Sequence, residues 1–411
     1  MFKKILFITA IFFLGATAGY IYILKAKPFN QSSIQEKNVY LTFLDEVYFK
    51  IKENYWEKIE DEQLVSLFVL GANKITDEPK ILQSNDKPSL DKMLAEIINQ
   101  TNPEKKKKEF AAQLADVVLA NLKPFGRSRL YTQKDETALK QNVENVNPDV
   151  NQYEVLGVEK EADQKEIETA YQEKEKTPEV EQAYKVLADE ANRKVYDISG
   201  AEPTMDYKLI RPEIFYLHLK KFSPTTFDEL KRVTEKVDDQ KSLDTLIFDL
   251  RDNIGGAIDG LPYFIGPFIG QDQYAYQFFH QGEKTDFKTK IGWLPSLVRY
   301  KKVVILINEN TQSSAEVMAA VLKKYNVGVL VGTTSKGWGT VEKVFQMENQ
   351  IDPAEKNSIF MVHELTLRDD GQPIEGRGVD PVIDINDPEW EKQLYSYFHY
   401  QDLVEAVKEI W

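Results

Sequence analysis

Apolar residues recur at helical spacing in the first third of the chain. Residues 38–75 include Leu41 and Leu44, and a similar pattern returns over residues 90–122. Positions three and four residues apart lie on one face of a helix, so both stretches are predicted to form amphipathic helices. Residues 83–89 between them are polar and contain Pro88, which predicts a loop.

Two breaks divide the rest of the chain. Residues 142–149 are dense in Asn, Pro and Asp, and residues 199–212 contain Gly200, Pro203 and Pro212. Such stretches are typical of linkers. After the second break, β-rich runs alternate with helical patterns, which predicts an α/β or α+β core. We therefore expect three regions: an N-terminal helical region (33–145), a small module (151–200) and a core (205–411).

The N-terminus contains an uncharged run between two pairs of lysines. Residues 5–24 number 20 and carry no charge, which is about the length of a helix that crosses a bilayer. A cleavable signal peptide is the alternative, because Ala16 and Ala18 form a small-x-small pattern. Cleavage there would leave the apolar residues 19–24 as a new terminus, which favours an uncleaved anchor. We expect residues 1–25 to be a membrane anchor or signal, with the remainder extracytoplasmic, on the periplasmic or cell-surface side.

Composition and charge exclude several classes of function. The chain is 42% apolar and 29% charged, as in ordinary globular proteins. Its 52 basic and 66 acidic residues give a net charge of −14, which argues against nucleic acid as a partner. There is no cysteine, so disulfide scaffolds, thiol catalysis and thiolate metal sites are excluded. The four histidines are scattered, and we expect no metal site and no cofactor.

The module over residues 151–200 has a sequence pattern of its own. Apolar positions in the runs 153–158, 183–187 and 193–197 follow helical spacing, which predicts two helices packed as an antiparallel pair. These runs resemble a J-domain, the co-chaperone module. That family needs a His-Pro-Asp tripeptide between its long helices, whereas the loop here, residues 176–179, reads Lys-Thr-Pro-Glu.

The charge of this module also differs from that of a working co-chaperone. It carries 13 acidic and seven basic residues, although the family needs a basic helix to meet an acidic partner. Like charges repel such a partner. We therefore expect a J-like fold that serves for packing or for binding a protein partner.

Two stretches in the C-terminal half suggest chemistry. Residues 246–256 read as a buried strand that ends in Gly255 and Gly256, and glycines after a strand allow backbone amides to point outward toward an oxyanion. Residues 303–316 read as a strand that runs into a helix starting near Ser313 and Ser314. A serine at that place is either an N-cap or a nucleophile assisted by the helix-terminal amides.

Together the two stretches resemble the C-terminal processing peptidases, or tail-specific proteases, which use a Ser–Lys dyad. The match continues through residues 329–332, 337–339 and 374–381 and covers most of residues 205–390. Residues 47–55 and 123–131 resemble segments that precede the family's peptide-binding PDZ module, whose place the J-like module takes here. We therefore expect an α+β or α/β multidomain protein: an N-terminal membrane helix, a helical domain, the J-like module and, as the resemblance implies, a ClpP/crotonase-like core.

The resemblance also assigns roles at the site. Ser313 falls on the nucleophile position, and the amides of Ser314 and of Gly256 (or Gly255) fall on the oxyanion hole. The family's base lysine corresponds to Trp338, 25 residues after the serine.

The general base is therefore missing from its usual position. An indole has no free lone pair to accept a proton. The family's supporting glutamine corresponds to Glu342. Lys336 is the alternative base, because residues i and i+2 share a face of extended backbone, but a carboxylate at Glu342 would raise the pKa of a nearby amine and keep it protonated.

We expect a membrane-anchored, exported protein with this peptidase fold, an impaired or absent active site, and affinity for unstructured polypeptides or protein C-termini along a sheet edge. Two alternatives remain open. One is an active serine endopeptidase with Ser313 as nucleophile and Lys336 as base. The other is a structural or assembly scaffold that uses the J-like module.

Overall fold

The computed structural model describes residues 38–238 and 243–411. The expected anchor at residues 5–24 lies outside these ranges. Within them, no helix combines the length and the apolar character needed to cross a bilayer.

Four amphipathic helices form the N-terminal part of the fold: α1 (Val39–Asn54), α2 (Asp61–Thr76), α3 (Lys87–Gln100) and α4 (Glu104–Ala120). Their apolar faces enclose one core, in which Phe43 and Phe68 are fully buried. The helices predicted over 38–75 and 90–122 are confirmed. The prediction of a loop over residues 83–89 is wrong for residues 87–89, which belong to α3. The helix begins there because the Asp86 carboxylate accepts the Ser89 amide and caps its first turn.

A short strand and a helix follow, β1 (Arg129–Thr132) and α5 (Gln133–Glu144). The Thr132 and Asp135 side chains form a capping box that starts α5 immediately after the strand.

The module over residues 151–200 has four short helices where the sequence predicted two: α6 (Gln152–Leu156), α7 (Gln164–Glu173), α8 (Pro178–Ala188) and α9 (Glu190–Ser199). The predicted packed pair is present as α7 and α8, whose Tyr171 and Tyr184 rings stack 3.9 Å apart. The module has a small core of its own. It is fixed to the rest of the chain by an ion pair between Asp189 and Arg232 at 2.9 Å.

The larger of the two described sheets consists of β2 (Met205–Arg211), β3 (Ile214–Leu219), β4 (Thr245–Asp249), β7 (Lys302–Ile307), β8 (Val329–Gly332) and β11 (Ile383–Asp384). Their spatial order is β11-β8-β7-β4-β3-β2. In this sheet only β2 is antiparallel to its neighbour.

Helices cover both faces of this sheet, as its buried strands require. Phe248 and its neighbours pack under one helical layer, and Ile247, on the opposite face, packs under the other. The first layer contains α10 (Thr226–Val237), α11 (Leu261–Ile269), α12 (Pro295–Val298) and α13 (Ser314–Lys324). The second layer contains α14 (Trp390–Phe398) and α15 (Gln401–Ile410).

A second, antiparallel sheet joins the core to the N-terminal helices. It consists of β1 together with β5 (Tyr274–His280), β6 (Glu283–Lys288), β9 (Thr340–Gln346) and β10 (Asn357–Leu367). Ile359 and Met361 of β10 are part of the same apolar cluster as α1 to α4. The N-terminal helices and β10 therefore belong to one apolar cluster, separate from those on the two faces of the six-stranded sheet.

Three adjacent parallel strands, β4, β7 and β8, bring the candidate chemistry together. The glycine turn follows the carboxyl end of β4, Ser313 follows β7, and Trp338 follows β8. Ligands of open α/β sheets bind at this edge. The sheet topology therefore places three sequence-distant segments around one point.

Candidate active site

Ser313 occupies a strained backbone conformation at the start of α13. Its φ of 57° and ψ of −126° lie outside the backbone regions that residues with a side chain ordinarily adopt. Such a conformation costs about 1–3 kcal/mol of conformational free energy. Gly255 lies directly against it, and a Cβ at Gly255 would stand 2.6 Å from the Ser313 Cβ. The sharp turn at Ser313 therefore requires a glycine opposite it.

The two glycines of the turn after β4 differ in what their amides do. The Gly255 amide donates to the Asn253 side chain at 2.8 Å. Among the residues that the structure describes, the amides of Gly256 and Ser314 have no hydrogen-bond acceptor. Of the two glycines predicted for the oxyanion hole, Gly256 thus has the available donor.

Close backbone packing fixes the position of Gly256. A Cβ at this residue would stand 1.9 Å from the Phe222 carbonyl oxygen, and the Ser314 hydroxyl donates to the Gly256 carbonyl at 3.1 Å. Two available amides beside a strained serine form the arrangement that stabilises an oxyanion.

Trp338 is held beside Ser313 by contacts on its ring and its nitrogen. The Arg127 guanidinium lies 3.8 Å from the ring centroid. The indole N–H donates to Glu342 at 3.4 Å, and the Thr340 hydroxyl donates to the same carboxylate oxygen at 2.6 Å. A cation and a carboxylate thus surround the position where the dyad amine is expected.

Arg127 is a component of the site that the sequence analysis missed. It forms two hydrogen bonds to the Glu375 carboxylate, both at 2.9 Å, and a third to Thr340. Glu375 also accepts the Gly339 amide at 3.0 Å. Burial raises the pKa of the Glu375 carboxyl, and the positive charge of Arg127 opposes that shift.

Glu316 is a second component that the sequence analysis missed. Its fully buried carboxylate accepts the amides of Ser313, Gly337 and Trp338 at 2.6–2.9 Å and the Ser335 hydroxyl at 2.6 Å. Burial raises the pKa of this carboxyl, whereas these hydrogen bonds favour its charged form. One side chain therefore sets the distance between the serine turn and the segment that carries Trp338.

Lys336, the alternative base, lies at the surface near Trp338. Its side chain is exposed, and its ammonium lies 5.4 Å from the Trp338 ring centroid. Within the described ranges no hydrogen bond joins it to Ser313. The structure therefore shows no contact that would support Lys336 as the base, and its role as an alternative base stays a prediction.

A cleft of about 500 Å³ opens beside Ser313, between α5 and β9. Apolar side chains line much of it, among them Leu139, Val143 and Phe360. Trp338 and Glu342 border it on one side. The structure thus brings Ser313, Gly256, Trp338 and Glu342 to one cavity, and their individual roles remain predictions.

A serine on a strained strand-to-helix turn, with two available amides beside it, is an arrangement that serine peptidases use. The site therefore resembles that of a serine peptidase. Residues 213–385 match the family model described as peptidase family S41. The resemblance to the C-terminal processing peptidases is thereby confirmed for this region.

Individual relatives support the same conclusion. The carboxy-terminal-processing protease of Bartonella bacilliformis is 25% identical over 210 residues, which cover 47% of this chain and 46% of the relative. The carboxy-terminal processing protease CtpA of Bacillus subtilis is 22% identical over 360 residues, which cover 86% of this chain and 70% of the relative. The chain thus spans less than half of the Bartonella relative.

Among solved structures, the photosystem II D1 C-terminal processing protease superposes with a TM-score of 0.51 and 14% identity. The superposition covers 85% of this chain and 93% of that one. At this identity the likeness concerns the fold alone, and it supports the mixed α/β architecture implied by the sequence.

Proposed function

We propose that the protein binds unstructured polypeptide ends in the cleft beside Ser313 and does not hydrolyse them through a Ser–Lys dyad. The observation that carries this proposal is the occupant of the base position, a tryptophan whose ring lies 3.8 Å from a guanidinium. The indole nitrogen can only donate a hydrogen bond. Ser313 therefore has no group at that position to accept its proton.

The remaining oxyanion donors do not compensate for a missing base. In serine hydrolases, loss of a member of the catalytic set removes most of the rate enhancement, and a residual ~10³–10⁴-fold over water comes from the oxyanion hole and binding. We therefore expect hydrolysis several orders of magnitude slower than that of a peptidase with an intact dyad.

The cleft supports the binding half of the proposal. Among the described strands, β9 pairs only with β10, and its first residues line the cleft. An extended peptide can add to such an edge through main-chain hydrogen bonds, with alternate side chains entering apolar pockets. The names of the relatives refer to processing of carboxy-terminal segments, which is consistent with polypeptide ends as the ligand.

The test compares the wild type with Ser313→Ala in two assays. The first measures labelling by a fluorophosphonate probe and cleavage of a disordered peptide, and the second measures binding of the same peptide. We expect no cleavage that depends on Ser313, and equal peptide affinity in both proteins. Reproducible cleavage by the wild type that Ser313→Ala abolishes would refute the loss of catalysis, and absence of peptide binding would refute the binding role.

We also propose that residues 5–24 anchor the protein in a membrane, with the rest on the extracytoplasmic side. The support is the length of the uncharged run. Carbonate extraction of membranes tests the anchor, and protease treatment of spheroplasts, from which any outer envelope has been removed, tests its orientation. Release by carbonate, or protection from added protease, would contradict the proposal.

A further inference from the structure

Lys221 is a buried cation that has no carboxylate partner among the described residues. Its residue is only 8% exposed. Its ammonium donates to the Asn142 side-chain oxygen at 2.8 Å, and no Asp or Glu within the described residues lies within ion-pair distance of it. Two of the three ammonium donors thus have no acceptor in the part of the chain that the structure describes.

The position of Lys221 connects it to the peptidase site. Both Lys221 and Asn142 line the cleft that contains Ser313. The next residue, Phe222, forms two main-chain hydrogen bonds with the glycine turn, from its amide to Gly255 and from Ala257 to its carbonyl. The backbone next to Lys221 is therefore hydrogen-bonded to the turn that carries the available Gly256 amide.

The charge of Lys221 is not balanced by the acidic groups of the cleft. Glu342 is engaged by Thr340 and Trp338, and Asp259 is exposed and makes no ion pair with the lysine. Burial lowers the pKa of Lys221, because an ammonium loses solvation there. An anion that entered the cleft would neutralise the charge of Lys221 and accept hydrogen bonds from its remaining N–H donors.

We propose that Lys221 binds a carboxylate of the polypeptide that occupies the cleft. The proposal rests on the polypeptide-binding function proposed above and specifies the chemistry that the ligand must present. The carboxylate comes either from the end of the ligand chain or from an Asp or Glu side chain near it.

The test measures binding of three labelled ten-residue peptides of one sequence to the full-length protein by fluorescence anisotropy. One peptide ends in a free carboxylate, the second ends in an amide, and the third ends in an amide and carries a glutamate as its penultimate residue. We expect the wild type to bind the first or the third about tenfold more tightly than the second, the effect of one charge-assisted hydrogen bond. The preferred peptide identifies the source of the carboxylate.

Lys221→Met should abolish the preference, and Lys220→Met is the matched control. Lys220 is the preceding residue, is partly exposed and lies 3.6 Å from Asp206 on the surface, so its replacement should leave the preference intact. Thermal unfolding of both variants checks that they fold. If Lys221→Met does not fold, the comparison of the three peptides on the wild type still decides whether the ligand must present a carboxylate, and absence of that preference would overturn the role of Lys221.

A second measurement separates this proposal from the binding function on which it rests. N-acetyl-leucine, a small carboxylate, should raise the melting temperature of the wild type, whereas N-acetyl-leucinamide should not. Stabilisation by the acid without peptide binding would refute the polypeptide function and retain the carboxylate site. Peptide binding with no preference for a carboxylate would refute the role of Lys221 and retain the polypeptide function. Absence of every response would refute both.

Discussion

An amine introduced at residue 338 tests the proposed loss of the base most directly, and the structure indicates that Trp338→Lys alone will fail. An amine near the present indole nitrogen would lie close to Glu342, since that nitrogen is 3.4 Å from the carboxylate. A base must be neutral near pH 7, which requires the pKa of a lysine to fall by about 3 units. The neighbouring carboxylate acts in the opposite direction.

The size of that opposition follows from the distance. Two unit charges about 4 Å apart attract by about 4 kcal/mol at an effective dielectric constant of 20, which corresponds to about 3 pKa units. Arg127 would repel the new amine, but its charge is already offset by two hydrogen bonds to Glu375. We therefore expect activity only when Trp338→Lys is combined with Glu342→Gln.

The assay is cleavage of a disordered peptide at pH 7–8, with Ser313→Ala in the double variant as background. General-base catalysis contributes about 10²–10⁴-fold, so the double variant should exceed that background at least 100-fold while Trp338→Lys stays near it. Equal activity of the single and double variants would refute the electrostatic argument. An inactive double variant that still folds and binds peptide would show that more than the base is missing.

Two further predictions concern stability, measured by urea unfolding. Gly256→Ala should lose more than about 3 kcal/mol or fail to fold, because its Cβ would stand 1.9 Å from the Phe222 carbonyl oxygen; near-native stability would contradict the close approach. Glu316→Gln should lose about 3 kcal/mol, because its amide group would face buried donors that now share a carboxylate; a loss below about 1 kcal/mol would show that the donors find other partners.

The local features of the site were predictable from the sequence. The strands before Gly255 and Ser313 and the helix after the serine follow from runs of apolar residues and from the residues that end them. The choice between Gly255 and Gly256 was not predictable, because it depends on the Asn253 side chain accepting one amide and leaving the other available.

The non-local features were missed for a different reason. Ser313 and Glu316 have the S-x-x-E spacing of a capping box, a local signal, but the contacts of Glu316 with Ser335 and Gly337 cross some 20 residues of chain. Arg127 reaches Trp338 across more than 200 residues. Such contacts arise from sheet topology, which periodicity does not reveal.

The start of α3 and the separation of α8 from α9 differ from the prediction, although both have local signals in the sequence. Asp86 followed by Pro88 is a helix-start signature, and it predicts the beginning of α3 at Lys87. The separation of α8 from α9 likewise reflects Asp189, whose carboxylate accepts the amides of Ala191 and Asn192 and starts a new helix.

The hydrogen bonds of Glu316 bear on whether the backbone of the site depends on the side chain at residue 338. At residues 313, 337 and 338 it holds main-chain amides only, so the course of the backbone there does not depend on which side chain residue 338 carries. Either lysine or tryptophan at residue 338 is therefore compatible with the same backbone conformation. The fold of this turn is therefore expected to be independent of the chemistry that residue 338 supplies.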